Sequence, residues 1–271
     1  MTSRVHLGLS LFLLFAIGCG DDETNTSGTS ETAETTPSEP TTDEVPEIPP
    51  PTPTQNLMHG HYRRASEARD ALIRGDIETA RTHMQWLATN HEGNALPEAL
   101  QPRLTAMQTD AAAFAEAGTL TEAGQALART SVRCGECHEA SGGGFHAALP
   151  PLPQGETTAA HMERHRWAAE RMWEGLVTRD PEQFNAGTGA LREAALHEND
   201  LPESEEQPPE RVAALATHVH ELGTESADAQ DWDARASLYG RYLATCAACH
   251  RLLETGPAAP IEPTLDDEGG E

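Results

Sequence analysis

The chain contains no lysine, so all 18 of its basic residues are arginines, and they are outnumbered by 44 aspartates and glutamates. The formal charge is −26 at pH 7. A charge of this sign repels the phosphates of nucleic acids and the headgroups of anionic membranes, which excludes both as electrostatic partners. It favours solubility, or a protein partner with a basic docking surface.

Aromatic residues are also scarce, at 4% of the chain. Strands favour aromatic and β-branched residues, whereas alanine, which is abundant here, is the best helix former. The composition therefore predicts an all-α fold and argues against a protein rich in β-sheet.

The N-terminus has the features of an export signal. Arg4 precedes an apolar run from Leu7 to Ile17 that is too short to span a bilayer as a mature helix. The run leads into Gly18-Cys19 and resembles a bacterial lipobox, so we expect a lipoprotein signal peptide at 1–18 and lipidation of Cys19. The mature protein would then lie on the periplasmic side of a bacterial membrane, by expectation the outer one. An ordinary signal peptide is the alternative.

Two polar segments flank the remainder of the chain. Residues 19–56 are rich in threonine, proline and acidic residues, and residues 255–271 form a second acidic stretch. Segments with so few apolar residues cannot bury enough surface to offset the entropy cost of ordering. We expect a disordered tether and a disordered tail, with the lipid anchor as the only contact with the membrane.

Between these segments the chain repeats itself, with a first unit at 57–140, a linker at 141–157 and a second unit at 158–254. The first unit runs from Met58-His59-Gly60-His61 to Cys134-Gly135-Glu136-Cys137-His138, and the second from Met162-Glu163-Arg164-His165 to Cys246-Ala247-Ala248-Cys249-His250. Self-similarity of this kind indicates two copies of one structural unit.

Each unit is predicted to contain four helices, because glycine, proline and capping residues divide it into four amphipathic stretches. The predicted helices are 57–74, 76–91, 98–117 and 119–140 in the first unit, and 158–178, 181–196, 209–227 and 230–253 in the second. Short loops between amphipathic helices favour antiparallel four-helix bundles. The four tryptophans are expected in ordinary core packing, with packing against a bound cofactor as the alternative.

The two Cys-x-x-Cys-His motifs carry the chemistry of the chain. Two thiols can add to the vinyl groups of a porphyrin, and the adjacent imidazole can reach its iron, so the motif is typical of c-type haem attachment. Histidine makes up 13 of 271 residues, so its chance occurrence after both motifs has a probability of about one in 400. A redox dithiol or a zinc site would not require this histidine.

The position of the motifs resembles that in the class II cytochromes c, the cytochrome c-prime family and its low-spin relatives, here duplicated in tandem. In small cytochromes c the motif lies near the N-terminus, whereas each motif here ends the last helix of a predicted four-helix unit. The resemblance implies two covalently bound haems. It also implies thioether bonds from Cys134, Cys137, Cys246 and Cys249, and proximal iron ligands at His138 and His250.

The resemblance leaves the sixth iron ligand open, because relatives have either an apolar distal face or a methionine from the first helix. Here His61 and His165 occupy equivalent inward positions on the first helix of each unit. They are the proposed distal ligands, with Met58 and Met162, one turn earlier, as the fallback. An open or water-bound iron is the third possibility.

These features predict a carrier of single electrons between periplasmic or membrane-surface redox proteins. They do not predict an enzyme, because no nucleophile–base constellation is evident elsewhere in the chain. Binding or sensing of nitric oxide or carbon monoxide at a five-coordinate iron is the alternative. A di-haem peroxidase is a weaker one, because those enzymes resemble two fused small cytochromes c.

Overall fold

A computed structural model describes residues 50–90, 96–143, 148–193 and 209–254. The expected signal peptide, the lipidation site Cys19, most of the tether and the C-terminal tail lie outside these ranges. The chain from Pro49 onward forms one compact unit.

The fold is all-α, as predicted, and the described residues contain no strand. The described residues form eight α-helices: α1 Pro53–Ile73, α2 Ile77–Thr89, α3 Gln101–Ala115, α4 Leu120–Ala140, α5 Thr158–Thr178, α6 Pro181–Glu193, α7 Pro209–Glu225 and α8 Trp232–Leu252. Short 3₁₀ turns at Glu98–Leu100 and Ser226–Asp228 precede α3 and follow α7. Within the described ranges, none of the helices is long and apolar enough to cross a membrane.

Helix α1 begins four residues earlier than the sequence analysis predicted. The Thr52 hydroxyl accepts a hydrogen bond from the backbone N–H of Gln55, and the Gln55 side chain accepts one from the Thr52 N–H. This capping box satisfies two backbone donors at the start of the helix, and Pro53 suits the first helical position. The end of the predicted tether is therefore helical from Pro53.

Helices that follow one another along the chain pack side by side, from α1 to α4 and again from α5 to α8. The two sets are not separate, because α4 packs extensively against α8, α1 against α8, and α5 against α4. Helices α4 and α8 approach closely where Gly124 faces Gly240. A Cβ atom on Gly124 would lie 2.2 Å from the carbonyl oxygen of Gly240. The two helices that carry the Cys-x-x-Cys-His motifs therefore meet in the interior.

The repeat seen in the sequence is also present in the backbone. Helix α1 ends before Gly75, whose φ is +80°, and α5 ends at Arg179, whose φ is +59°. The two residues occupy equivalent places, and both take the left-handed conformation that turns the chain into the next helix. Arginine adopts this conformation less readily than glycine does.

Candidate functional site

Each motif occupies the last two turns of a long helix, α4 or α8. Thr119 and Asp231 cap the starts of these helices with side-chain hydrogen bonds. A helix places residues three and four apart on one face. The two thiols and the histidine of each motif therefore lie on the same face of their helix. All four motif cysteines are free thiols. We call the surroundings of the α4 motif the first site and those of the α8 motif the second site.

The first site is a pocket with about 560 Å³ of space between protein atoms, part of it open to solvent. Its walls come from α1, α3, α4 and α5, and its lining is mostly apolar. The lining residues include Met58, His61, Leu104, Met107, Cys134, Cys137, His138, Trp173 and Val177. The structure thus brings the first motif and both candidate distal residues of its unit to one pocket.

The two motif histidines are fixed by backbone carbonyls of the opposite half of the chain. His138 Nδ1 lies 2.9 Å from the carbonyl oxygen of Val177, and His250 Nδ1 lies 2.7 Å from that of Ile73. A carbonyl can only accept, so Nδ1 carries the hydrogen in both rings. In the neutral imidazole Nε2 is then unprotonated and carries the lone pair with which a histidine binds a metal.

His61 lies on the α1 wall of the first site. Its side chain is buried, and its Nε2 atom has no hydrogen-bond partner within the described part of the chain. Burial lowers the pKa of His61, so the ring is neutral at pH 7. A buried ring nitrogen without a partner is costly unless something else binds it. Met58, which lines the same pocket, is half-buried and offers a thioether sulfur.

At the second site the predicted distal residue His165 is tied to the motif helix through its backbone. The buried hydroxyl of Tyr242 on α8 donates a 2.7 Å hydrogen bond to the carbonyl oxygen of His165 on α5. Tyr242 also forms a hydrogen bond with the thiol of Cys246, one turn further along α8. Met162 is half-buried on the same helix as His165. Tyr242 therefore links the segment of α5 that carries His165 to the Cys246 thiol of the motif on α8.

The thiols are poorly suited to disulfide exchange. Burial raises the pKa of Cys134 and of Cys246 to about 12, and burial also raises the pKa of Cys137 and Cys249. Disulfide exchange uses the thiolate, which is rare at neutral pH when the pKa is this high. Nowhere among the described residues do three His, Cys, Asp or Glu side chains gather as a metal cluster.

The donor set fits a covalently attached iron porphyrin. Paired thiols and His138 line one side of an apolar pocket, and the Nε2 atom of His61, which has no hydrogen-bond partner among the described residues, lies on another wall. The arginines Arg103 and Arg133 also line this pocket, and Arg133 is further bound to Asp110 and Glu136. Positive charge at the edge of such a pocket suits the carboxylates of a porphyrin.

Sequence reasoning missed the contribution of the second half to the first site. Trp173 was expected in ordinary core packing, with contact to a cofactor as the alternative; it is fully buried in the core and also lines the pocket. Val177 was not singled out, although its carbonyl holds His138. Both lie on α5, beyond the linker, and no local pattern marks them.

These observations come from the residues of the chain alone. The assignment of a cofactor therefore depends on the donor atoms, their burial and their hydrogen bonds. No protein-family model, curated protein or solved structure matches the chain.

Proposed function

We propose that this chain is a di-haem c-type cytochrome, built from two tandem four-helix units that each close with a haem-attachment motif. In this proposal the protein carries single electrons between redox partners. When bound, each haem supplies an iron atom that gains or loses one electron. Its redox partners would dock on the protein and exchange an electron with it, and no covalent bond of the chain would be made or broken.

The observation that carries the proposal is the donor set of the first site. Cys134 and Cys137 supply two thiols, and His138 presents an Nε2 lone pair because its Nδ1 hydrogen is held by a carbonyl. The same hydrogen bond at His250 supports an equivalent site on α8. A plain redox dithiol would leave this orientation of the histidines unexplained.

Each residue has a definite role in this proposal. The four motif cysteines form thioether bonds, and His138 and His250 are the proximal ligands. His61 and His165 are the distal ligands, with Met58 and Met162 as the fallback. Two protein ligands on each iron would close it to substrates and favour electron transfer over catalysis.

The remaining features of the chain suit an exported carrier. We propose that residues 1–18 direct export, that Cys19 is lipidated, and that the acidic segment after it tethers the folded part to the periplasmic face of a membrane, by expectation the outer one. The charge of −26 favours redox partners with basic docking surfaces. Nucleic acid is not a partner in this proposal.

The direct test is intact-mass spectrometry of protein exported by a host that attaches c-type haem. We expect an added mass of two haems that survives denaturation, and no reactive thiols among the four motif cysteines. The paired variants Cys134→Ser with Cys137→Ser, and Cys246→Ser with Cys249→Ser, should each retain one haem. Absence of added mass from the unaltered protein would refute the proposal.

Carbon monoxide distinguishes an electron carrier from a gas-binding protein. With histidine or methionine as the sixth ligand, the reduced protein should have a low-spin absorption spectrum that carbon monoxide leaves unchanged. Rapid binding of carbon monoxide at either site would show an accessible iron and favour gas binding or sensing. Turnover of hydrogen peroxide by the purified protein would instead favour a peroxidase.

A further inference from the structure

The two sites are related by the repeat, yet one buried position on their walls differs in charge. Trp173 on α5 lines the first site, one turn before Val177, whose carbonyl holds His138. The equivalent residue on α1 is Arg69, one turn before Ile73, whose carbonyl holds His250. An apolar indole at the first site thus corresponds to a cation at the second.

Arg69 is buried, with 7% of its surface exposed. Its guanidinium carbon lies 5.6 Å from the centre of the Trp173 ring, so the indole separates the cation from the first pocket. On the other side, Trp173 and Tyr242 both pack against Tyr239, with ring centres 6.5 Å apart in each pair. Tyr242 contacts the Cys246 thiol. By the repeat, the buried cation takes at the second site the place that the indole takes at the first.

The charge of Arg69 is only partly compensated. Its Nε and Nη2 atoms lie 2.8 and 2.7 Å from the Asp70 carboxylate, but the Asp70 side chain is 31% exposed and so shares its charge with water. Glu170 on α5 also interacts with Arg69 over a longer range. A buried cation whose counter-charge is partly hydrated leaves a positive potential in the interior, where screening is weak.

We propose that Arg69 makes the two haem sites electrostatically unequal, because it raises the reduction potential of the site at His250 more than that of the site at His138. The inference rests on the proposed function. A one-electron donor becomes oxidised and one iron goes from ferric to ferrous, so the reduced site carries one positive charge less. A fixed cation favours that state at the nearer site.

The test is a redox titration of the intact di-haem protein, followed by absorption. We expect two separate one-electron steps. The spectral change caused by His61→Ala would mark the step that belongs to the first site. In Arg69→Gln the equilibrium constant that favours the electron at the second site should fall by about tenfold, which is 59 mV for one electron.

Three further variants separate the charge of Arg69 from its packing. Arg69→Lys keeps the charge and should preserve most of the difference between the two potentials. Asp70→Asn keeps the arginine and removes its counter-charge, so the potential of the second site should rise. Arg241→Gln is the matched control, because Arg241 lies on α8 but pairs with Glu225 in contact with solvent. It changes the net charge equally and should leave the difference almost unchanged.

The proposal is overturned if Arg69→Gln and Arg241→Gln shift the two potentials alike, or if Asp70→Asn lowers the second potential. These outcomes require that two haems are present, so they are distinct from failure of the proposed function, in which no haem is found.

Discussion

The imidazole of His138 donates its Nδ1 hydrogen to the backbone carbonyl of Val177, 2.9 Å away and on the other side of the linker. At the equivalent position of the repeat, His250 donates the same kind of hydrogen bond to the carbonyl of Ile73, at 2.7 Å. Each half of the chain therefore orients the proposed proximal ligand of the other half. A hydrogen bond to Nδ1 makes Nε2 a stronger donor, which stabilises the oxidised metal and lowers its reduction potential.

Gly135→Ala should weaken this bond at the first site. A Cβ atom on Gly135 would lie 2.4 Å from the carbonyl oxygen of Leu176 and 2.8 Å from Cγ of Arg179, so the ends of α4 and α5 must separate. We expect the reduction potential of the first site to rise and the free energy of unfolding to fall by about 1–3 kcal/mol. A redox titration and urea unfolding measure the two effects.

Gly189→Ala is the matched control for that variant. Gly189 also lies within a helix, α6, but the nearest atom to an added Cβ is 3.7 Å away, at the tip of Arg192. Alanine should fit there without moving the backbone and should slightly favour the helix. Suppose instead that the two variants have the same reduction potential at the first site and the same free energy of unfolding. In that case the hydrogen bond between His138 and Val177 would have no influence on the first site.

Most of the fold could be predicted from local sequence signals. Helix α5 was predicted at 158–178 and has those bounds, because Thr157 caps its start and the chain turns at Arg179. The start of α1 was missed, although the threonine and glutamine of its capping box are visible in the sequence. The prediction followed the proline-rich segment before this helix and placed the start too late. In the structure the capping box determines where the helix begins.

The opposite wall of each site could not be predicted in the same way. Val177 follows His138 by 39 residues, and their contact depends on how α4 packs against α5. Hydrophobic periodicity predicts which face of a helix is buried, but it does not specify which distant helix covers that face. The small residue Gly135 inside the first motif was the available signal, because a glycine within a helix often marks a close approach.

Replacement of His61 tests the distal ligand of the first site. His61→Ala removes the buried ring whose Nε2 has no hydrogen-bond partner in the described part of the chain. If this nitrogen binds the iron, the first site should become high-spin and accept carbon monoxide, while the second site keeps its spectrum. Absorption and electron paramagnetic resonance spectra measure the change.

Met58→Leu is the companion variant, because Met58 lines the same pocket and leucine has a similar volume. It should leave the spectrum unaltered if His61 is the ligand. If Met58→Leu opens the first site and His61→Ala does not, the methionine is the ligand. If neither variant changes the spectrum and carbon monoxide binds the unaltered protein, the iron is open.

Gly124→Ala should separate the two motif helices. The added Cβ would lie 2.2 Å from the carbonyl oxygen of Gly240, and a backbone atom in the interior cannot move aside as a flexible side chain can. Overpacking of this kind costs about 1–3 kcal/mol, which exceeds the gain of up to about 1 kcal/mol from replacing glycine in a helix. We expect a net loss in the free energy of unfolding, measured in urea, whereas a gain would show that α4 and α8 are not closely packed there.

Tyr242→Phe should act on the second site alone. The hydroxyl of Tyr242 is held in its protonated form by burial, which raises its pKa well above the usual value, and it donates to the carbonyl of His165 at 2.7 Å. Its removal should lower the free energy of unfolding by about 1 kcal/mol and loosen the segment that carries His165, while the spectrum of the first site stays the same.

Tyr62→Phe is the control, because Tyr62 is 49% exposed and its hydroxyl can bond to water, so a change within about 0.5 kcal/mol in the free energy of unfolding is expected. Equal effects of the two substitutions would show that the bond to His165 does not stabilise the second site.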